Sequence, residues 1–492
     1  RYGNEINERI DLNGSFAFPG FVDSHLHMIG HGERLMRLDL SDVQTAEEMK
    51  ELVKMKVNEI EEGQWIIGEG WNENNFSDQK IFHVSELDEI APKHPLLLKR
   101  ICRHALLANT LAMKKANITE QTLNPKGGII VKDEQGHPTG YFLDGAQELI
   151  KEVVPPVDEL YLQKALEKSI DDMVSLGLVG GHTEDLAYYG DPNKPLQAFH
   201  TIIDGKKRKF RAHLLVHHQA ASTVFTENDH KRAFIELGAV KIFADGSFGA
   251  RTALLSSPYN DAPETSGTAI HSDEELKELV KQARLLNRPV AVHVIGDLAL
   301  EMALDAIEQH PLNCQLPDRL IHVQVLREDL LQRMKKLPVI LDLQPSFVAS
   351  DFPWVQERLG HERLPLSFAW KTLLDNELVC AGGSDAPIEP VNPLIGIHAA
   401  VTRRKVMENH NGYLPEQKLT MFEAIQLYTI GSARAINQEK EKGLIDKGYV
   451  ADFTIFNKDL FRLSGNDILS AQAVMTVVDE TIVFKQREAF SI

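Results

Sequence analysis

The segment "SDEELKELVKQARLLNRPVAVHVIGD" (residues 272–297) joins an amphipathic, charge-rich half to a short β-rich half. A helix that feeds such a strand is the repeating unit of a parallel α/β fold. The β-rich half, "RPVAVHVIGD" (288–297), belongs to a series along the chain. The others are "GFVDSHLH" (20–27), "GLVGGHTE" (177–184), "RAHLLVHH" (211–218), "AVKIFADG" (239–246), "RLIHVQV" (319–325), "PVILDLQPS" (338–346) and "LVCAGGSDA" (378–386). Eight runs, with helical segments between the later ones, predict an α/β fold of the (β/α)8 TIM-barrel class.

The spacing is uneven once, because about 150 residues separate the first run from the second. This stretch reads as a large insertion after strand 1, with a subdomain over about 60–155. It has strand-like runs, "GQWIIGEGW" and "HPLLLKRICRH", and a turn-rich "NPKGGIIVKDEQGHPTG" that reads as a hairpin or small sheet. Loops after barrel strands build the active-site face, so a lid is the expected use of the insertion. After the eighth run, "TMFEAIQLYTIGSARAIN" ends the helical pattern near Asn437, and two β segments follow. These cannot enter a closed barrel. Residues 438–492, with 1–19 from the other chain end, are therefore expected to form a small β domain beside a barrel of residues 20–437.

Lys plus Arg number 53 against 71 Asp plus Glu, a formal charge of -18, which argues against nucleic acid or an anionic membrane as partner and for a small-molecule substrate. Cys102, Cys314 and Cys380 lie far apart and suggest neither disulfides nor a structural zinc knuckle, so a reducing cytoplasm fits best. No run approaches the ~20 apolar residues of a membrane span. A homodimer is the assembly kept open.

In "DSHLH" two histidines at i and i+2 share one strand face, so His25 and His27 can grip one ion or serve as paired structural histidines. His293, His322 and Asp385 are each polar in, or at the end of, an apolar run. Singly such residues are often hydrogen-bonded core groups; together they converge if all sit at the C-terminal mouth of a barrel. Imidazole and carboxylate suit zinc and similar divalent metals. Lys241 interrupts the apolar "AVKIFADG", where a bare ammonium is costly. It either pairs with a carboxylate such as Asp245 or is neutral and adds carbon dioxide, becoming a carbamate that can bridge cations.

"PGFVDSHLH" at the barrel's start, Lys241 on the fourth strand, His293 and His322 on the fifth and sixth, and Asp385 on the eighth resemble the amidohydrolase superfamily. "WIIGEGWNENNF", "GGIIVKDEQGHPTGYFLDGA", "KIFADGSFGARTALLSSPY", "HVIGDLAL", "GGSDAPIEPVNPLIGIHAAVTRR" and "GYVADFTIFN" extend the resemblance, over essentially the whole chain, to amidohydrolase family 3, which includes N-substituted formamide deformylases. It implies a barrel fused to a β-sandwich made from both chain ends, whose first strands would precede Arg1. It also implies that His25, His27 and Asp385 bind one metal and His293 and His322 a second, with carbamylated Lys241 as the bridge. One divalent ion or two, zinc foremost, would serve hydrolysis of an amide-type C–N bond, with Asp385 as the general base.

Other polar residues carry weaker expectations. His104 in the insertion, and His217, Asp245 and Arg251 near the mouth, are candidates for substrate contact, each with a structural role as the alternative. Asp297 either orients a ligand from behind or caps a helix. Trp65, Trp71, Phe76, Phe248 and Trp354 offer aromatic surface to a pocket or to the core. A hydrolase acting on a lactone, carbamate or phosphoester uses the same metal logic. A non-catalytic metal-binding regulatory protein would not need a placed proton shuttle.

Overall fold

The structure is a computed structural model, and it describes residues 9–73, 76, 79–100, 105–125, 128–155, 157–227, 233–312 and 316–486. Eight strands form one sheet in an order that follows the chain. They are Phe21–Leu26, Leu178–Thr183, Arg211–His217, Ile235–Phe243, Val290–Val294, Asp318–His322, Val339–Leu343 and Cys380–Gly382. All the neighbouring pairs are parallel. The last strand meets the first through two backbone bonds: the His27 N–H donates to the Ala386 carbonyl (2.8 Å) and the Asp385 N–H to the His25 carbonyl (2.7 Å). This seam makes the sheet a (β/α)8 barrel, as the recurring runs predict.

The seam also explains "GGSD". Asp23 is buried, and its carboxylate accepts the Ser384 N–H (3.0 and 3.1 Å) and the His25 N–H (3.0 Å). A Cβ on Gly383 would lie 2.5 Å from the His25 nitrogen and 2.7 Å from Asp23 Oδ1, so only glycine allows the approach.

The helical half of the 272–297 segment is Asp273–Leu285. Ser272 caps it and Glu275 reaches back to the cap, while Asp273, Glu274 and Glu275 place negative charge at the positive end of the helix dipole. Its buried face carries Leu276, Val280 and Ala283 at helical spacing. Leu215, Ala239, Ala291 and Ile321, from successive strands, pack together as a small apolar cluster.

A four-stranded antiparallel sheet joins Phe16–Pro19 to Phe453–Phe456, Ala473–Val478 and Thr481–Lys485. Ile455, Val474, Met475 and Val477 form its core. Contacts that tie it to the barrel include Thr454 Oγ1 donating to the Gly177 carbonyl, Thr476 Oγ1 to the Val174 carbonyl, and Arg211 forking onto Asp452.

Residues Gly32–Asp158 form a compact unit of their own. Its six-stranded mixed sheet includes the antiparallel hairpin Gly128–Lys132 with Pro138–Asp144. Trp71 and Phe76, offered above as pocket or core, lie in its core, with Trp71 donating Nε1–H to the Leu98 carbonyl. Trp65 packs partly buried against the second core of the same unit. In the barrel unit Phe248 is buried, and Trp354 lies under the Arg358 guanidinium, 4.2 Å from its ring centre. Among the described residues no helix is long and apolar enough to cross a membrane.

Candidate functional site

Strand ends bring the five predicted donors and Lys241 into one neighbourhood. Lys241 is wholly buried, with Nζ 3.1 Å from His25 Nε2. Asp385 Oδ1 lies 3.4 Å from His25 Nε2 and 3.4 Å from His27 Nε2. His25, His322 and Asp385 offer donor atoms all within 4.8 Å of one another and could hold a metal ion. His293 stands beside His322, ring centres 4.4 Å apart, but its Nε2 contacts the Gly246 carbonyl at 3.0 Å. Its Nδ1 is thus its remaining donor.

The backbone is strained where the donors sit. His322 has φ 78° and Asp385 φ 58°, left-handed values that cost non-glycine residues of order 1–3 kcal/mol each. Such outliers persist where the surrounding structure over-determines them; here the seam holds Asp385.

Burial sets the protonation states. It drives His25 and His293 well below the usual histidine range, helped by neighbouring positive groups, and brings His322 down to about 4. It pulls Lys241 down to about 8, although the charges of Glu184, Asp385 and Asp342 act the other way. His27 moves oppositely: burial disfavours its charge, but the hydrogen bond to Asp385 and the charges of Asp385, Glu184 and Asp185 raise it to about 9. Asp385 is lowered, since its positive neighbours outweigh burial. Three neutral rings, a readily neutralised amine and a carboxylate make a lone-pair-rich set. That donor chemistry fits a divalent cation, whose ligands must be deprotonated.

Residues not singled out in the sequence support this set. Gln344 Oε1 accepts from His322 Nδ1 (2.7 Å) and leaves Nε2 as the free nitrogen. Asp23 holds the seam beneath His25. Arg319 and Asp342, both buried, pair at 2.7 Å, and Arg319 also donates to the Ser24 carbonyl (2.6 Å). Glu184 and Tyr188 stand behind His27. The available signal was a charged residue within an apolar strand, as at Asp342 in "VILDL" and Arg319 in "DRLIH".

Some of the remaining expectations need correction. Asp245 does not pair with Lys241: its carboxylate accepts the N–H groups of Leu254, Ile295 and Gly296 at 2.8–3.0 Å and lies 3.5 Å from His293 Nε2. It is buried and saturated, so it shapes the site from within and does not face substrate. Asp297 neither caps its helix nor meets His293; Gly296 is the cap, and Asp297 binds Ser256 and Arg327. Arg251 is turned to Asp261 (2.7 Å). His217 ends the third strand in register with Lys241, its ring 5.8 Å from that of Phe243, and burial lowers it to about 4. His104 lies outside the described residues, as do Cys102 and Cys314. A separate cavity at the opposite, N-terminal ends of the strands is lined by His182, His213, Glu236 and Lys442, and none of the predicted site residues reaches it.

The chain is similar to known proteins over nearly its whole length. The amidohydrolase family matches residues 8–484. YtcJ of Bacillus subtilis (strain 168) is 48% identical over 487 residues, 99% of this chain and 92% of that protein. The N-substituted formamide deformylase of Arthrobacter pascens is 24% identical, over 97% of this chain and 90% of its own. The crystal structure of a metal-dependent hydrolase from Pyrococcus furiosus superposes with a TM-score of 0.76 at 30% identity, covering 94% of this chain and 91% of the other.

Proposed function

This chain belongs to the amidohydrolase family, and from that premise we propose that it hydrolyses an amide-type C–N bond of a small molecule, with N-substituted formamides as the leading class. The observation that carries the reading is Asp385 Oδ1, placed 3.4 Å from two histidine nitrogens at the end of the eighth strand. His25, His27, His322 and Asp385 would hold the first ion, zinc being the metal their nitrogens and oxygen suit best. His293 through Nδ1 would contribute to a second. A cation there would lower the pKa of a water from ~15.7 to about 7 and polarise the scissile carbonyl.

The chain's own groups supply the rest. Lys241, brought down to about 8, has a sizeable neutral fraction near neutral pH. Its nitrogen would attack carbon dioxide, the new N–C bond forming as the amine proton passes to solvent water, and the resulting carbamate would offer two anionic oxygens as metal ligands. Asp385 accepts the proton of the attacking water and returns it to the leaving amine, acting first as base and then as acid. Its lowered pKa keeps it ionised and ready to accept. The charge of -18 disfavours a nucleic-acid or anionic-membrane partner, and the scattered cysteines suit a reducing cytoplasm.

The test is a turnover assay of the metal-loaded protein, with metal content measured in parallel, on N-substituted formamides, aryl amides, cyclic amides, lactones and phosphoesters. Release of amine from at least one amide class is expected. Turnover confined to lactones or phosphoesters would overturn the C–N assignment.

A further inference from the structure

Glu184 and Tyr188 have no part in the chemistry above, yet both press on His27. The Glu184 carbonyl accepts from His27 Nδ1 at 2.5 Å. A carbonyl can only accept, so Nδ1 carries the proton and Nε2 is left to face Asp385 and the centre. The Glu184 side chain is completely buried, with Oε2 3.9 Å from the same Nδ1. An ionised carboxylate at such depth is costly without a donor. Tyr188 is the donor: its phenol bonds Oε2, and its ring sits edge-on to His27 with centres 5.9 Å apart.

The surrounding backbone makes this a built support. The Glu184 N–H donates to the Leu26 carbonyl (3.1 Å). On either side Thr183 Oγ1 accepts the Met28 N–H, and Asp185 accepts that of Ile29. The second strand's end therefore clamps the chain around His27 from 26 to 29. Glu184 and Tyr188 add side chains that bear on the imidazole itself.

We infer that Glu184 and Tyr188 are paired positioning residues for His27: Tyr188 fixes the Glu184 carboxylate, and Glu184, with its carbonyl on Nδ1 and its carboxylate 3.9 Å from the same nitrogen, holds the ring so that Nε2 is presented to the metal. Residues that hold the far nitrogen of a metal-binding histidine typically contribute 10–100-fold to affinity, so about 10-fold for Tyr188 and up to ~100-fold for Glu184 is expected. The inference rests on the reading that His27 is a metal ligand.

The experiment measures zinc release to a chromogenic chelator from the loaded wild type, Tyr188→Phe, Glu184→Gln and the double variant. Faster release from each single variant is expected, with the double no worse than Glu184→Gln, because Tyr188 acts through Glu184. Wild-type release from Tyr188→Phe, or independent additive effects, would overturn the pairing. Visible d–d absorption of the cobalt(II)-loaded proteins gives a second readout, one that a merely structural loss at equal loading would not move. Shifted bands are expected in both single variants; bands identical to those of the wild type would also refute the inference. A wild type that takes up neither zinc nor cobalt(II) would instead refute the metal reading of the centre.

Discussion

Replacing Asp385 by asparagine separates the proton-transfer role from the fold. Asparagine is nearly isosteric and among the residues that best tolerate the left-handed φ of 58° found here. The backbone bond from the 385 N–H to the His25 carbonyl does not involve the side chain and is retained. The carboxylate's contacts to His25 and His27 are both 3.4 Å, long for charge-assisted bonds, so their loss should cost no more than the ~1.5–3 kcal/mol of one good charged bond. The amide cannot accept the water's proton. A base of this kind contributes 10²–10⁴-fold, or about 2.7–5.4 kcal/mol of barrier. The assay is kcat on the best substrate at matched metal content, alongside thermal unfolding. A kcat within about threefold of wild type at equal metal loading would refute the assignment. Asp385→Ala should lose activity equally and unfold more easily, by about 1 kcal/mol, because alanine tolerates the left-handed backbone poorly.

Three other outcomes follow from the same geometry. His27 is raised from 6.5 to about 9 on folding, so the stability it contributes in the metal-free protein is fully present below pH 6.5 and lost as pH rises through 9. The Tm gap between wild type and His27→Gln should narrow over that window, and a pH-independent gap would contradict the cause given. Asp245→Ala strands three buried N–H groups and should cost about 3–6 kcal/mol in denaturant unfolding; a loss under 1 kcal/mol would mean that other groups satisfy them. Arg319→Met alone leaves Asp342 as a buried unpaired charge and should cost about 3–5 kcal/mol, whereas adding Asp342→Leu should recover most of it. A double variant no more stable than the single would count against an electrostatic origin.

The eight strands were legible because each is a short apolar run, and the fourth only began earlier, at Ile235, than its strongest run suggests. His25, His27, His322 and Asp385 were legible for the same reason: a polar residue within or at the end of such a run stands out. Spacing could not show which nitrogen each ring presents. His293 keeps the expected strand position while Gly246 takes its Nε2. Asp245 and Asp297 illustrate the same limit. Both lie within a few residues of a predicted ligand in the chain, but the partners that claimed them, three backbone amides for one and Ser256 with Arg327 for the other, come from loops and elements whose placement has no periodic signature.

The seam between the first and last barrel strands has a consequence for how the protein is made. Asp23 and Ser384 are joined across 361 residues of sequence, and the closure entropy of so long a loop is met only once the whole barrel is present to reward it. Residues 20–27 emerge from the ribosome long before Asp385 does. A nascent chain, or one cut short before the eighth strand, therefore holds its first two histidines in place of no finished centre. Any metal the centre binds would then be captured only once the eighth strand has been made and docked against the first.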